Sequence, residues 1–348
     1  MVAESNKNEV EDRLNRGLLG QWYLAACSVQ VRPGAPFAAK IAGEQMVLWR
    51  GADGAVRCVE DFCPHRGAKL SLGVVMDNDI SCLYHGVTID GTGTIVKVPA
   101  MPNCALEGRR PLKDYKVREI ADAIFVYVPS AEVPEAPEPV FPYELIDPDW
   151  QRFVCSVRWD ANHRLIVENV ADPMHGSYLH AVSFTLAYGA KQDTLKLDRT
   201  DNGFSVSRVE QQGLNFDSVD FISENGLSYF RLDVPYPPAA GPGGPLRIVA
   251  FTTPIDEKTS LACFYRARQV SGLDSEVWRF LYRSRLESRH WDVVEQDRTM
   301  LESLPIDARK REMLYQHDIG VSRIRQIMTR QAKAQLAAEA AASQARAG

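Results

Sequence analysis

Residues 63–86 read CPHRGAKLSLGVVMDNDISCLYHG and hold two Cys–His pairs, Cys63/His65 and Cys82/His85. The chain has seven cysteines and seven histidines in 348 residues, yet two of each fall here, as C-x-H-x16-C-x2-H. Thiolate and imidazole are the protein ligands best suited to borderline-soft metals. Each pair fits one tight loop, and each loop holds a glycine, Gly67 or Gly86, that frees the backbone to turn. Two such loops can present four ligands to one centre. Three readings compete. Chance clustering leaves the matched glycine turns unexplained. A structural zinc site usually groups Cys with Cys and His with His, whereas each loop here mixes one of each. A two-iron cluster suits the mixing. One iron takes both thiolates and the other both imidazoles, and neutral histidines in place of thiolates raise the reduction potential.

Outward from this stretch, Gln21 to about Val128 has one texture. QWYLAACSVQV, QMVLWRG, AVRCVEDF, GTIVKVPA and AIFVYVP are short β-branched or aromatic runs, separated by the turn signals RPGA, GADG and DGTG. That is the pattern of a small all-β unit. Ahead of it, residues 5–18 read as a short polar helix. Behind it, residues 129–150 carry six prolines in 22 positions. Proline at that density blocks helix and central strand alike, so a semi-rigid, extended connector and a domain boundary are expected.

The second half mixes patterns. FVCSVRWDAN reads as a strand, and HRLIVENVADPMHGSYLHAVS as helical in its first part. GFSVSRV, LSYFRLDV, LRIVAFTT and LACFYRARQV are further strands, and PYPPAAGPGGP (235–245) is a Pro/Gly loop. Residues 273–303 carry an apolar stripe at helical spacing, among them Trp278, Leu281, Trp291, Val294 and Leu301. A second helix is expected from about Asp307 to near the end. Its Ala-rich tail has little to bury and is expected to fray. The expected divisions are a helix at 1–19, the β unit at 20–130, the connector at 131–150, a second domain at 151–330 and the tail at 331–348.

Composition excludes several classes. A 45% hydrophobic and 24% charged chain is ordinary for a soluble globular protein. A net charge of -5 argues against nucleic acid as the main partner. No run of about 18 apolar residues exists, so no membrane span is expected. The polar N-terminus lacks the apolar core of a signal peptide. Cys27, Cys58, Cys104, Cys155 and Cys263 are scattered and read as small buried hydrophobes in a reducing cytoplasm.

A second constellation lies in ENVADPMHGSYLH, residues 168–180, where Asn169, Asp172, His175 and His180 form N-x2-D-x2-H-x4-H. Two histidines and a carboxylate on one face of a metal leave positions open for O2 and substrate, as in non-haem Fe(II) sites. Five residues on an ideal helix turn through about 500°, so His175 and His180 would point about 140° apart. A bend, a π-bulge or a helix end is therefore expected between 172 and 180. Asp172-Pro173 and Gly176 provide for it. The bland alternative is a pair of ordinary polar histidines at a helix end. His163 and His290 read as satisfied interior or surface histidines, and His317 has no assigned role.

CPHRGAKLSLG…CLYHG…DGTG resembles the Rieske [2Fe–2S] domain over residues 20–130. That resemblance implies Cys63 and Cys82 on one iron and His65 and His85 on the other. ENVADPMHGSYLH resembles the iron motif of Rieske non-haem iron oxygenases, the terminal (alpha) components of ring-hydroxylating and demethylating systems. With it the likeness spans roughly 15–310. It implies an α+β chain: an N-terminal all-β Rieske domain, then a helix-grip (START-like) antiparallel-sheet catalytic domain with C-terminal helices. It implies that His175 and His180 bind a mononuclear Fe(II) with an acid from far downstream. EQDRTMLES resembles the family's context for that acid and selects Asp297 from Asp292, Glu295, Asp297 and Glu302, with Asp292 as fallback. Asp172 matches the family's bridging aspartate, which would join His85 of an adjacent subunit to His175. Asn169 would lie over the iron or the adjacent pocket, or serve as a plain helix hydrogen bonder. Tyr84 would help a partner dock, or pack.

The likeness further implies a homotrimer of the compact vanillate- and dicamba-demethylase kind, acting on O2 and a small aromatic substrate. Electrons would come from a separate ferredoxin or flavin reductase, since this chain has no flavin or NAD fingerprint. The pocket is expected between strands near 205–265 and the helix at 278–297. Arg231, Arg247 and Arg266 are equal candidates to anchor an anionic substrate. Two other classes stay open: an electron carrier or sensor without the second iron, and a zinc-stabilised binding module. Within the enzyme class, ring dihydroxylation competes with monooxygenation.

Overall fold

The computed structural model describes residues 2–183, 186, 188–237, 240–305 and 307–347. Pro238 and Ala239 of the expected Pro/Gly loop lie outside the described residues. A helix, α1 (Val2–Arg16), leads into β1 (Gln21–Cys27). An antiparallel sheet follows, β2 (Phe37–Ile41), β3 (Glu44–Arg50) and β4 (Val56–Glu60). A second small sheet holds β5 (Val74–Met76), β6 (Asp79–Ser81), β7 (Thr88–Ile89) and β8 (Ile95–Lys97). β9 (Val117–Ile120) and β10 (Ala123–Val128) form a hairpin, and β10 pairs β1. The turn signals fall where glycine is needed: GADG joins β3 to β4, and DGTG joins β7 to β8. Val47, Trp49 and Val59 of one sheet pack on Ile80, Ile89 and Ile95 of the other, and Cys63 and Cys82 lie in that core.

The connector holds a short helix, α2 (Tyr143–Ile146), and then β11 (Trp150–Trp159) begins. α3 (His163–Val170) and α4 (Gly176–Leu179) follow. Then come β12 (Leu195–Thr200), β13 (Gly203–Arg208), β14 (Ser218–Glu224), β15 (Leu227–Val234), β16 (Leu246–Pro254) and β17 (Ser260–Gln269). These run as an antiparallel meander in the order β12-β13-β14-β15-β16-β17-β11. One sheet face alternates inward, as Phe204, Val206 and Arg208 do in β13. α5 (Gly272–Leu281), a π-helical turn at Tyr282–Leu286 and α6 (Glu287–Glu302) form one rod. The sheet grips α3 and α6 through a core that includes Ile166, Phe230, Leu246, Val294 and Leu301.

Three expectations need correction. The connector is not simply extended. Pro142, with its fixed φ, opens α2, and the buried Glu144 of that helix pairs with Arg231 and Arg247 of the sheet. The Trp22 indole donates to the Pro137 carbonyl, which straps the connector down. The helix expected from Asp307 is broken into α7 (Ala308–Arg311) and α8 (Ile319–Ala347), because Tyr315 turns back to hydrogen bond Asp318. The Ala-rich tail is not without a partner: it continues α8 and packs as far as Glu339. Its small side chains let α8 lie against α1, with Ala332 and Gln335 buried, Gln335 bonded to the Leu19 backbone and Glu339 paired with Arg13.

The halves share a seam. Trp22 and Leu227 form a parallel bridge, and Leu24, Phe125 and Tyr127 pack against Tyr229, Phe251 and Tyr265. No described helix is long and apolar enough to cross a membrane.

Candidate metal centres

The two Cys–His loops are built alike. Gly67 donates to the Cys63 carbonyl at 2.8 Å, and Gly86 to the Cys82 carbonyl at 2.8 Å. Both glycines take the left-handed backbone, at φ 76° and 72°. A Cβ on Gly86 would stand 2.6 Å from the Pro99 ring. The closed turns bury Cys63 and Cys82 and leave His65 and His85 exposed, with ring centroids 4.6 Å apart. Burial raises the pKa of Cys63, opposed by backbone N–H groups of His65 and Arg66 and reinforced by the adjacent Cys82. Two thiols inside, two imidazoles outside and amides aimed at sulfur fit a cluster whose irons differ in ligands. Tyr84 packs its ring 4.0 Å from that of His85, beneath the Arg66 guanidinium, and remains exposed.

The second centre is assembled from three elements. α3 ends at Val170, and the chain turns through Asp172-Pro173 before α4 starts at Gly176. The helix therefore breaks ahead of His175, and α4 itself stops at Leu179. His175 and His180 cap the two ends of the one-turn α4, and their imidazoles approach each other, with ring centroids 5.2 Å apart. Asp297 of α6 completes the group: its Oδ1 lies 3.6 Å from His175 Nε2 and 3.3 Å from His180 Nε2. One ligand atom from each residue lies within 4.8 Å of the others, which suits a single ion. Two imidazoles and one carboxylate fit iron(II).

Each of the three is held from behind. The His175 Nδ1–H donates to the Asp172 backbone carbonyl at 2.5 Å, and the Asp172 carboxylate accepts from Met174 N–H. Thus the carbonyl of Asp172, not its carboxylate, orients His175. The His180 Nδ1–H donates to Gln296 Oε1 at 2.9 Å. The Asn169 amide donates to Asp297 Oδ1 at 3.1 Å. These bonds leave both Nε2 atoms free to face an ion. Burial pushes the pKa of Asp297 up, but the His180 hydrogen bond, the two imidazoles and Asn169 outweigh it and bring it below the ordinary carboxylate value. Burial pulls His180 down, and Asp297 overcomes it and raises its pKa.

Around the triad is a cavity of about 100 Å³. Its walls are apolar, from Trp159, Ile166, Phe216, Leu232, Leu246 and Phe264, and its polar lining adds Asn169, Arg266 and His290 to the triad. The fallback Asp292 is exposed, as is Glu295, and Glu302 instead accepts from the Asp160 N–H. Of the three candidate anchors, Arg231 and Arg247 share Glu144 outside the cavity, and Arg266 alone lines it. His163 is buried, bonded to the Leu14 carbonyl and depressed to about 4 by desolvation. His317 bonds the Asp193 carbonyl. Sequence reading missed Gln296 and His290. Gln296 adjoins Asp297 in the chain, the one local signal it had.

Residues 21–118 match the Rieske [2Fe-2S] domain, and residues 159–334, half of the chain, match the Vanillate O-demethylase oxygenase C-terminal domain. The chain therefore belongs to the vanillate O-demethylase oxygenase family, with a Rieske domain ahead of that C-terminal domain. Such a chain carries a [2Fe–2S] cluster and a mononuclear iron. A vanillate O-demethylase oxygenase subunit of Pseudomonas sp. (strain HR199 / DSM 7063) is 36% identical over 163 residues, 47% of this chain and 45% of that protein. The chain spans under half the length of several curated relatives it matches. The terminal oxygenase of carbazole 1,9a-dioxygenase from Novosphingobium sp. KA1 superposes with a TM-score of 0.73 at 22% identity, over 96% of this chain and 98% of that one. Dicamba monooxygenase bound to 3,6-dichlorosalicylic acid superposes with a TM-score of 0.72 at 20% identity, over 92% and 100%. At these identities the likeness speaks for the fold alone.

Proposed function

We propose that the chain is a terminal oxygenase that uses O2 and electrons from a separate donor to hydroxylate or oxidatively demethylate a small aromatic compound. The observation that carries this is the convergence of His175, His180 and Asp297 on an apolar cavity, in a chain with a Rieske half. His175, His180 and Asp297 hold the mononuclear iron. Cys63 and Cys82 hold one iron of the cluster and His65 and His85 the other. When bound, the cluster supplies electrons singly, and the mononuclear iron supplies the redox chemistry that activates O2.

The protein's own part is positional. Asp172, Gln296 and Asn169 fix the ring tautomers and the carboxylate. The apolar walls exclude water and hold the ring. In demethylation of a methyl ether, one oxygen atom enters a methyl C–H bond. The other leaves as water with two electrons and two protons, and the product collapses to a phenol and formaldehyde. Among the described residues the Asp172 carboxylate accepts only the Met174 N–H, and it lies partly exposed, free to reach His85 of an adjacent subunit in a homotrimer. A ferredoxin or flavin reductase supplies the electrons, and exposed Leu83 and Tyr84 beside His85 suit its docking.

Iron and acid-labile sulfide are counted per chain in anaerobically purified wild type and in His175→Ala/His180→Ala. Three irons and two sulfides, falling to two irons with the brown colour kept, are expected. Two irons in both proteins would make the chain a cluster-only carrier, and colourless zinc protein would overturn the reading entirely.

A further inference from the structure

Glutamate is an unfavourable choice for a buried position in the last turn of a helix. Desolvation opposes its charge, and the negative end of the helix dipole repels it. Glu168 stands in the last turn of α3 and is 8% exposed. Two arginines from the far end of the chain answer its carboxylate. The Arg325 guanidinium of α8 meets it fork to fork, Nε to Oε1 at 2.9 Å and Nη2 to Oε2 at 2.6 Å. Arg309 of α7 donates to Oε1 as well. Arg325 also holds Glu312, on the segment between α7 and α8. One buried carboxylate thus ties both C-terminal helices to α3.

A second contact lies beside the first. Gly320 of α8 is pressed against the C-cap of α3, Ala171. A Cβ on Gly320 would stand 2.3 Å from the Ala171 carbonyl oxygen and 3.0 Å from the Val206 side chain. Glycine weakens a helix, so its use here marks a close approach of backbone to backbone. Both contacts fall on the residues that lead into the mononuclear centre. Asn169, next to Glu168, donates to Asp297 Oδ1. Ala171 precedes Asp172, whose backbone carbonyl orients His175. Successive helix residues point about 100° apart, so α3 turns Glu168 toward α8 and Asn169 toward the triad.

We propose that α7 and α8 brace the turn that carries His175, with Glu168 as the positioning residue, and that order in these C-terminal helices is coupled to occupancy of the mononuclear site. This rests on the reading of His175, His180 and Asp297 as iron ligands and adds a remote support to it. Such coupling is reciprocal. An ion that fixes the end of α3 tightens α8, and a loosened α8 weakens the hold on the ion. The cluster loops lie outside these contacts and serve as an internal control.

Two readings on the full-length protein test this. Ferrous iron affinity of the mononuclear site is measured by chelator competition in wild type, Glu168→Gln, Glu168→Asp and Arg325→Gln. Amide hydrogen exchange in α7 and α8 is followed with that site empty and iron-loaded, the cluster intact in both. Glu168→Gln and Arg325→Gln are expected to weaken iron binding by about fivefold or more, the lower end of couplings between sites, with the cluster spectrum unchanged. Glu168→Asp is expected to recover part of the loss. In wild type, loading is expected to slow exchange in α8 by about fivefold, and in Glu168→Gln to leave it unchanged. A merely structural ion pair would lower the melting temperature of the empty variants and leave both readings at their wild-type values, which would overturn the proposal. Exchange in wild-type α8 that ignores iron would overturn it too, and that comparison decides if the variants do not fold. A wild type that takes up no ion at the triad refutes the metal reading and the brace with it, whereas equal affinity in all four proteins refutes the brace alone.

Discussion

The two metal centres of this chain are made in opposite ways. The cluster loops are local: two short turns, each closed by a glycine, present four donors within 23 positions at the surface. The mononuclear triad is assembled, with His180 and its partner Gln296 separated by 116 positions and brought together only by packing of α6 under the sheet. A local centre depends on backbone conformation, and an assembled one on tertiary order. Electron transfer suits the first, since its histidines must be exposed to a donor and an acceptor. Oxygen chemistry suits the second, since its ligands must be dry.

Asp172, proposed above to link the two centres across subunits, gives the largest expected effect. Asp172→Asn keeps the backbone carbonyl that orients His175 and an oxygen for the Met174 N–H. Iron and sulfide contents should not change, while turnover falls by about 10–100-fold or more as the carboxylate link is lost. Turnover within a few fold of wild type would break the bridge assignment. Gln296→Ala comes next. It frees the His180 ring and should weaken mononuclear iron binding by about tenfold, measured by chelator competition, with the cluster spectrum unchanged. Loss of the cluster instead would mean that the two centres are not built independently. Gly86→Ala comes last, because it is read in stability and not in turnover or iron affinity. It strains a left-handed backbone and presses on Pro99, for about 1–3 kcal/mol. Cluster bleaching on warming should come earlier, while the melting of the catalytic half stays put.

The same contrast explains what the sequence could tell. The cluster loops were legible because ligand, spacing and turn residue all lie within one stretch. The break between α3 and α4 was legible too, from Asp172-Pro173 and Gly176. Asp297 could be chosen only by likeness, since its burial beside His175 depends on residues far away. Gln296, Arg266 and His290 carry no local pattern at all. They are ordinary helix and strand residues until the fold closes over them. The tail misled for the same reason: alanines with nothing nearby in sequence to bury against lie on α1, from the other end of the chain.

The π-helical turn at Tyr282–Leu286 has a consequence of its own. It works as a phase shifter within one rod. Upstream, Trp278 and Tyr282 face the sheet and steady Arg266; downstream, His290 and Asp297 face the cavity. A regular α-helix, one residue tighter at that turn, would rotate one set by about 100° against the other. The same residues wound as regular α-helix could keep the sheet-facing pair or the metal wall aligned, but not both, whereas a chain shortened by one residue at that turn would close as regular α-helix with both faces in register.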